Sequence, residues 1–364
     1  NDLKEFVAKA HKVTKDEIDN LKLKHGQEDF EAALTKYVGQ RIVDMSASGA
    51  DTKAIYDAMV EMYKKQPNLD IRTSTSMNNQ AYSTPIPIAF LAGKLARVTA
   101  STKVYEPTAG NGLLTITASP QNVLAVEMDT RRAANLKIME FMVKQGDATK
   151  AVENGLIKNE WPDAVLANPP FGPLDEDARV DGYLIRSIDH LIAAKALAVL
   201  PANGRAVLIL AANAKEGVIP NKDMAFLNWL YGRYNVADHF EVNGELYRRQ
   251  GASWPIRVIV IAGRYDSNNV GPKTGEVKRV NDFDGLYERF TEAFQNSERV
   301  LVGASGTFDA SGRKGADAGG LPVGDGAEAG ASGGEGQPGG LGDSQVDAGS
   351  VGDTDTDTGQ SGVS

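Results

Sequence analysis

One short run of residues has the types and spacing needed to hold an amino group. Residues 165–172 read Val-Leu-Ala-Asn-Pro-Pro-Phe-Gly, which predicts a buried strand ending at Asn168. Pro169 and Pro170 fix φ and remove two backbone donors, so the carbonyls there stay free to accept hydrogen bonds. An amide oxygen beside a rigid carbonyl suits an amino group with two hydrogens, and Phe171 offers a flat face to a planar group. These four residues are our candidate catalytic site.

A second candidate site lies upstream, where a predicted strand at 104–106 enters a Gly-Asn-Gly loop. Gly110 and Gly112 permit positive φ and close approach of a ligand to the backbone. Acidic residues also lie at the ends of the next predicted elements: Glu127 ends the next strand, and Asp147 follows a third strand or turn. In nucleotide-binding folds an acid placed like Glu127 accepts hydrogen bonds from ribose hydroxyls. A carboxylate at Asp147 can contact an adenine moiety.

The elements that must position these two sites alternate between strand and helix. Apolar runs predict strands at 104–106, 123–127, 164–167, 206–210 and 258–262. Helices are predicted at 86–95, 130–145, 181–200, 222–233 and 283–294. Nearly continuous apolar strands separated by helical crossovers predict a doubly wound, mostly parallel α/β sheet with helices on both faces.

The chain divides into four predicted parts. Residues 1–74 form an N-terminal helical subdomain, because apolar residues recur there at helical spacing and 14–17 has capping-box spacing. Residues 75–265 form the α/β domain, and 266–301 a C-terminal extension with one helix. Residues 302–364 hold 19 of the 38 glycines and, with few large apolar side chains, are predicted to be a disordered tail.

Composition excludes several kinds of chemistry. The chain has no cysteine, which excludes a disulfide framework, a Cys-based zinc site and a thiolate nucleophile. Four scattered histidines lack metal-ligand spacing, so we expect no metal. No apolar run approaches 18 residues, so we expect no membrane partner. We expect the protein in the cytoplasm of a bacterial or phage-infected cell, and association with a virion is left open. The acidic charge lies in the tail, and a nearly neutral body neither requires nor excludes a nucleic-acid partner.

The two sites together resemble a known group of enzymes. Glu-Pro-x-x-Gly-x-Gly followed by Asn-Pro-Pro-Phe is similar to the amino-methyltransferases of class I, which use S-adenosylmethionine. Residues 81–85, Ala-Tyr-Ser-Thr-Pro, resemble the Tyr-x-Thr-Pro segment of adenine methyltransferases in which it precedes the Gly-rich loop, among them the modification subunits of type I restriction systems. Ala81 and the inserted Ser83 depart from the commoner Phe-Tyr-Thr-Pro. Residues 188–192 and 203–210 resemble methyltransferase-like domains of large phage and mobile-element proteins linked to antirestriction.

The resemblance implies S-adenosylmethionine as the cofactor and gives each matching residue a role. Glu127 would hold the ribose, Asp147 the adenine, and Tyr82, Thr84 and Pro85 the methionine end. The full set expected to bind the cofactor is Tyr82, Thr84, Pro85, Glu106, Pro107, Ala109, Gly110, Gly112, Glu127, Met128, Asp147, Ala148 and Asn168.

The resemblance also implies the reaction, methylation of the N6 amino group of adenine in DNA. Methyl transfer from a sulfonium is a direct displacement that depends on alignment, and a base in duplex DNA must be flipped out to be reached. Phe171 is the expected stacking platform. The bases expected to contact phosphates are Lys215, Lys222, Arg248, Arg249 and Arg257. Few structured residues are predicted after 263, so we expect little sequence specificity unless a partner module or subunit supplies it.

Three other functions remain open at this point. Methylation of a guanine amino group in RNA and of a glutamine amide in a protein both use Asn-Pro-Pro-aromatic sites. The segment at 81–85 placed before the Gly-rich loop argues against both. A methyltransferase-like module without catalysis, in a virion or in antirestriction, is the third.

Overall fold

A computed structural model describes residues 2–12, 14–69, 82–264 and 266–305. They all lie in one compact unit, Asn1–Gly315. The predicted tail, apart from its first residues, lies outside the described residues, as does Ala81. No helix in these ranges is long and apolar enough to span a membrane.

The described helices and strands alternate along most of the chain. The helices are α1 Asp2–His11, α2 Asn20–Ala47, α3 Thr52–Lys65, α4 Ile86–Leu95, α5 Thr130–Ile138, α6 Ile188–Ala198, α7 Asn221–Arg233 and α8 Phe283–Ser305. The strands are β1 Val104–Glu106, β2 Val123–Glu127, β3 Met142–Gln145, β4 Ala164–Ala167, β5 Pro173–Val180, β6 Tyr183–Ser187, β7 Arg205–Ala211, β8 Tyr234–Val242, β9 Ile256–Arg264 and β10 Arg279–Val280.

Eight of these strands form one mostly parallel sheet in the order β10-β8-β9-β7-β4-β1-β2-β3. Only β9 runs antiparallel to its neighbours, β7 and β8. In chain order, β2 and β3 follow β1 on one side of it, and β4 and β7 then lie on its other side. This reversal opens a crevice at the carboxyl ends of β1 and β4, where ligands bind in doubly wound sheets. The predicted fold class, a doubly wound, mostly parallel α/β sheet, is confirmed.

Alternate residues of the strands enter two cores, one on each face of the sheet. Val104 and Val258 belong to the core under α2, α3, α4 and α8, while their neighbours Tyr105 and Ile259 belong to the core under α6 and α7. Burial on both faces explains why the strands read as continuous apolar runs rather than as alternating ones.

Two predicted helices are partly wrong. The helix expected at 130–145 ends at Ile138, and Met142–Gln145 instead pairs with β2 as the edge strand β3. Glu140 adopts a positive φ of 68° at the break, where no glycine or proline marks it in the sequence. The helix expected at 181–200 begins only at Ile188. Residues before it form the hairpin β5–β6 around Asp181 and Gly182, both with positive φ, an Asp-Gly turn that the sequence does signal.

The N-terminal helices pack directly on the α/β fold. The hydroxyl of Tyr56 donates to the carbonyl of Phe283, and that of Tyr63 donates to the carbonyl of Leu246, both at 2.7 Å. The predicted capping box is wrong, because 15–17 is a 3-10 turn and the side chain of Asp19 caps α2 instead. The extension after 265 also adds the unpredicted edge strand β10. The boundaries at 74, 265 and 301 remain predictions.

Candidate active site

Two cavities adjoin at the carboxyl edge of the sheet. The first, of about 530 Å³, lies at the ends of β1, β2 and β4. The second, of about 660 Å³, lies between residues 168–172 and 247–256. Tyr82 and Asn168 line both cavities. A ligand in the first cavity and a second molecule in the other would therefore meet at Asn168.

The side chain of Asn168 is held from one side. Its Nδ2 donates to the Thr84 hydroxyl at 2.9 Å and makes a weaker contact of 3.5 Å with the carbonyl oxygen of Tyr82. Thr84 is 3% exposed, so this partner is shielded from water. Because the amide nitrogen is turned toward residues 82–84, the amide oxygen is left as an acceptor for another group. The Thr108 hydroxyl also donates to the backbone carbonyl of Asn168, at 3.3 Å.

The Gly-Asn-Gly loop uses its backbone donors within the protein. The amide of Ala109 donates to the carbonyl of Val126 at 2.9 Å, and that of Gly110 donates to Glu127 Oε2 at 2.7 Å. The amide of Gly112 donates to the carbonyl of Ala109 at 2.8 Å. These three groups are therefore not available to cradle a phosphate, which is what glycine-rich loops of dinucleotide-binding folds do.

Two buried carboxyl groups stand side by side at the ends of β1 and β2. Glu106 is 2% exposed and Glu127 is 8% exposed. Burial, and next the charge of Glu127, raises the pKa of Glu106 well above 4.5. Burial also raises the pKa of Glu127, although Arg132 and the amides of Gly110 and Asp129 oppose that shift. Burying these acids without a direct cation costs free energy, which a positively charged ligand would recover.

Asp147 lies at the end of the third strand and is fixed by its own turn. Its Oδ1 accepts from the amide and the hydroxyl of Thr149, at 2.8 Å and 2.7 Å. These bonds leave Oδ2 for a ligand. Met128 is 59% exposed at the same end of the cavity, and Ala148 lines it beside Asp147.

The structure brings most of the predicted site residues together. The predicted residues that line the first cavity are Tyr82, Thr84, Glu106, Pro107, Ala109, Gly110, Glu127, Met128, Asp147, Ala148, Asn168 and Pro170. Pro169 and Phe171 line the second. Two predicted cofactor residues lie in neither lining. Pro85 caps α4, and Gly112 packs against Phe141, which the Cβ of any other residue at 112 would approach to 2.8 Å.

The second cavity contains aromatic residues that sequence reasoning missed. Tyr247 and Trp254 lie opposite Phe171, on the connection between β8 and β9. Trp254 is 53% exposed, and its indole nitrogen donates to the carbonyl of Ala212 at 2.8 Å, which fixes the ring at the rim. Nothing local distinguishes these aromatics from core residues, because only the antiparallel return of β9 places them near Asn168.

The helix α2 forms a wall of the first cavity, which the sequence did not indicate. Leu21, Lys24, His25 and Glu28 line it. The three lining residues Lys24, Arg131 and Arg132 carry permanent positive charge, and each has an acidic partner, respectively Glu28, Asp29 and Glu28.

The basic residues expected to contact phosphates differ in how exposed they are. Arg257 is 1% exposed and lies 3.2 Å from Asp223, so this prediction is wrong; its side chain is buried within the fold and not available to a phosphate. Arg249 donates to the carbonyl of Gln66 at 2.6 Å. Lys215, Lys222 and Arg248 are exposed.

His190, predicted to be structural, is buried in α6. It stacks on Phe226 with ring centroids 4.3 Å apart, and burial lowers its pKa. Among the described residues no group of three or more His, Asp or Glu side chains is arranged to hold a metal ion.

Comparison with protein families and with curated proteins gives no match. No family model matches this chain, and no curated protein does.

The solved structures with a similar arrangement include several methyltransferases. One is described as a class I S-adenosylmethionine-dependent methyltransferase from Listeria monocytogenes, with 14% identity and a TM-score of 0.40 over 67% of this chain and 78% of that one. Another is described as the modification subunit of a type I restriction enzyme from Vibrio vulnificus, with 11% identity and a TM-score of 0.44 over 65% and 56%. A third is the methyltransferase subunit of a type I restriction-modification system from Streptococcus thermophilus, with 14% identity and a TM-score of 0.40 over 60% and 57%. This chain thus spans little more than half of each of the two restriction-system subunits. With identities and TM-scores this low, the fold assignment rests on the strand order.

Proposed function

We propose that this chain is an S-adenosylmethionine-dependent methyltransferase that modifies the N6 amino group of adenine in DNA. The observation that carries the proposal is the meeting of two cavities at Asn168, whose amide oxygen is left free by the bond from its nitrogen to Thr84. A donor and an acceptor molecule bound in the two cavities would face each other across this side chain.

The charges of the first cavity favour a cationic cofactor. Glu106, Glu127 and Asp147 line it, whereas its lysine and arginines are paired with acids of α2. The loop amides that would bind a pyrophosphate are turned inward. A dinucleotide would bring negative charge to these carboxylates, while S-adenosylmethionine brings a sulfonium and an ammonium. Glu127 and Asp147 would hold the ribose and adenine, and Glu106 the methionine end.

The chain's own residues perform orientation rather than acid–base chemistry. When bound, S-adenosylmethionine supplies an electrophilic methyl group. The Asn168 amide oxygen and the adjoining Pro169 carbonyl would accept the two hydrogens of the target amine, which directs the nitrogen lone pair toward the first cavity. Pro169 and Pro170 keep this backbone rigid. Holding two reactants in line supplies much of the rate enhancement in such a displacement.

The second cavity suits a flat, uncharged ring. Phe171, Tyr247 and Trp254 surround it, and an extrahelical adenine would stack there after flipping. Exposed bases, including Arg248, are available for phosphates. The described residues after β9 form an edge strand and a helix packed on the fold. We propose low sequence specificity, with any strict recognition supplied by a partner subunit. The antirestriction and virion roles stay predictions.

The decisive experiment supplies labelled S-adenosylmethionine with unmethylated DNA, RNA or cell extract. Label should enter DNA and be recovered as N6-methyladenine. Asn168→Ala should lose about 10²-fold or more in rate, as expected when a preorganised group at the reacting centre is removed. The exposed Asn154→Ala serves as the matched control and should keep full activity. Label entering only RNA or protein would overturn the substrate, and no transfer at all would overturn the enzyme assignment.

A further inference from the structure

The buried face of α2 beside the first cavity is polar, which is unusual for a helix packed on a core. Lys24, Gln27, Glu28, Glu31 and Thr35 are each no more than 8% exposed. Their positions recur at intervals of three and four residues, so they share one side of the helix. Burial of such residues costs free energy unless each finds a partner. Glu28 and Glu31 find partners in the segments that line the cavity.

Asn111, between the two loop glycines, is the main partner. It is 1% exposed, and its Nδ2 donates to Glu28 Oε2 at 2.6 Å and to Glu31 Oε2 at 2.8 Å. Its Oδ1 accepts from Asn135 at 3.1 Å. Both amide hydrogens and the amide oxygen are therefore bound, and the loop is clamped at its centre from α2.

Glu28 and Glu31 differ in whether a positively charged side chain is bound to them. Glu28 also binds Lys24 at 2.5 Å and Arg132 at 2.8 Å. Glu31 accepts from a neutral donor, the amide of Asn111, at 2.8 Å. Burial and the charge of Glu28 raise the pKa of Glu31, and the nearby hydroxyl of Ser83 opposes that shift. Ser83 precedes Thr84, which holds Asn168, so Glu31 lies between the cofactor loop and the segment that orients the catalytic amide.

Given the proposed function, we propose that Glu28 and Glu31 are positioning residues of the cofactor site. They hold the loop through Asn111, and Glu31 lies beside the 82–84 segment, without touching the reacting atoms. The N-terminal helix is then part of the active site, and a domain starting at residue 75 would lack one of its walls.

The test measures binding of S-adenosylhomocysteine to the full chain by calorimetry. Glu31→Ala should weaken binding about ten-fold, because it removes the hydrogen bond that the carboxylate makes to Asn111 in the cofactor loop. Glu31→Gln keeps an acceptor oxygen and should stay within about three-fold of wild type. Asp44→Ala is the matched control, since Asp44 lies on the same helix, exposed and about 20 Å further along it, and its side chain accepts from Gln40 rather than from the loop.

Stoichiometry separates positioning from folding. A purely structural role would lower the fraction of protein that binds, whereas a positioning role raises Kd at unchanged stoichiometry. Asn111→Ala removes the same contact from the loop side, and the double variant Glu31→Ala/Asn111→Ala should bind no more weakly than the worse single variant. If Glu31→Ala does not fold, Asn111→Ala carries the same test. Wild-type affinity in Glu31→Ala or in Asn111→Ala would overturn this inference, while a wild-type chain that binds neither S-adenosylhomocysteine nor S-adenosylmethionine would overturn the proposed function instead.

Discussion

Replacement by alanine should harm stability most at one loop glycine, Gly112, and cofactor binding most at the other, Gly110. Both have positive φ, 56° at Gly110 and 80° at Gly112, which costs alanine roughly 1–2 kcal/mol. At Gly112 the new Cβ would also lie 2.8 Å from Phe141 and 3.1 Å from Leu136, both buried, whereas at Gly110 nothing lies within 4 Å. Overpacking typically adds about 1–3 kcal/mol. We expect Gly112→Ala to cost about 2–5 kcal/mol and Gly110→Ala about 1–2 kcal/mol.

Binding should show the reverse order. Gly110 lines the first cavity and Gly112 does not, so Gly110→Ala should weaken binding of S-adenosylhomocysteine more. Urea unfolding followed by circular dichroism gives the first ranking, and calorimetry gives the second. Phe141→Leu in the Gly112→Ala background should recover part of the lost free energy of unfolding. Equal stability losses, or stronger loss of binding in folded Gly112→Ala than in Gly110→Ala, would refute the reasoning.

Two further predictions concern Asn168, the candidate catalytic amide, and the buried acid Glu106. Thr84→Val removes the acceptor that orients Asn168 and should lower kcat about ten-fold, whereas Thr84→Ser keeps the hydroxyl and should largely retain the wild-type kcat. Equal kcat in the two variants, measured at saturating S-adenosylmethionine, would contradict the orienting role. Glu106 in the folded chain keeps its proton at pH values where the unfolded chain has lost it, so its contribution to stability is present at low pH and disappears as pH rises above 4.5 through the raised pKa. Glu106→Gln should remove this loss of stability at higher pH. Urea unfolding of the wild type and of Glu106→Gln from pH 4.5 to 8 should show a difference in free energy of unfolding that grows with pH. A difference that does not change with pH would contradict this account of Glu106.

The candidate catalytic site was largely predictable because its information is local. Asn168, Pro169 and Phe171 follow directly after a buried strand, and the loop of Gly110 follows another, so strand ends and motif residues coincide in the sequence. A parallel sheet then brings the ends of its strands to one edge whatever the lengths of the crossovers. The hairpin at 173–187 was also locally signalled, by Asp181 and Gly182, but the apolar periodicity of the following helix was extended over it.

Sequence alone determined five strands of the central sheet, β1, β2, β4, β7 and β9, as well as the amide–proline–aromatic run and the acids at the strand ends, since each depends on neighbouring residues. It did not predict the other three strands, β3, β8 and β10. Only the tertiary structure decided which side chains face the cavities. The acids of α2 have the spacing of a solvated helix face, and Arg257 reads as one more surface base. The structure buries the former against Asn111 and the latter against Asp223. Burial of a charged side chain depends on partners 34 to 83 residues away, and neither propensity nor periodicity carries that information.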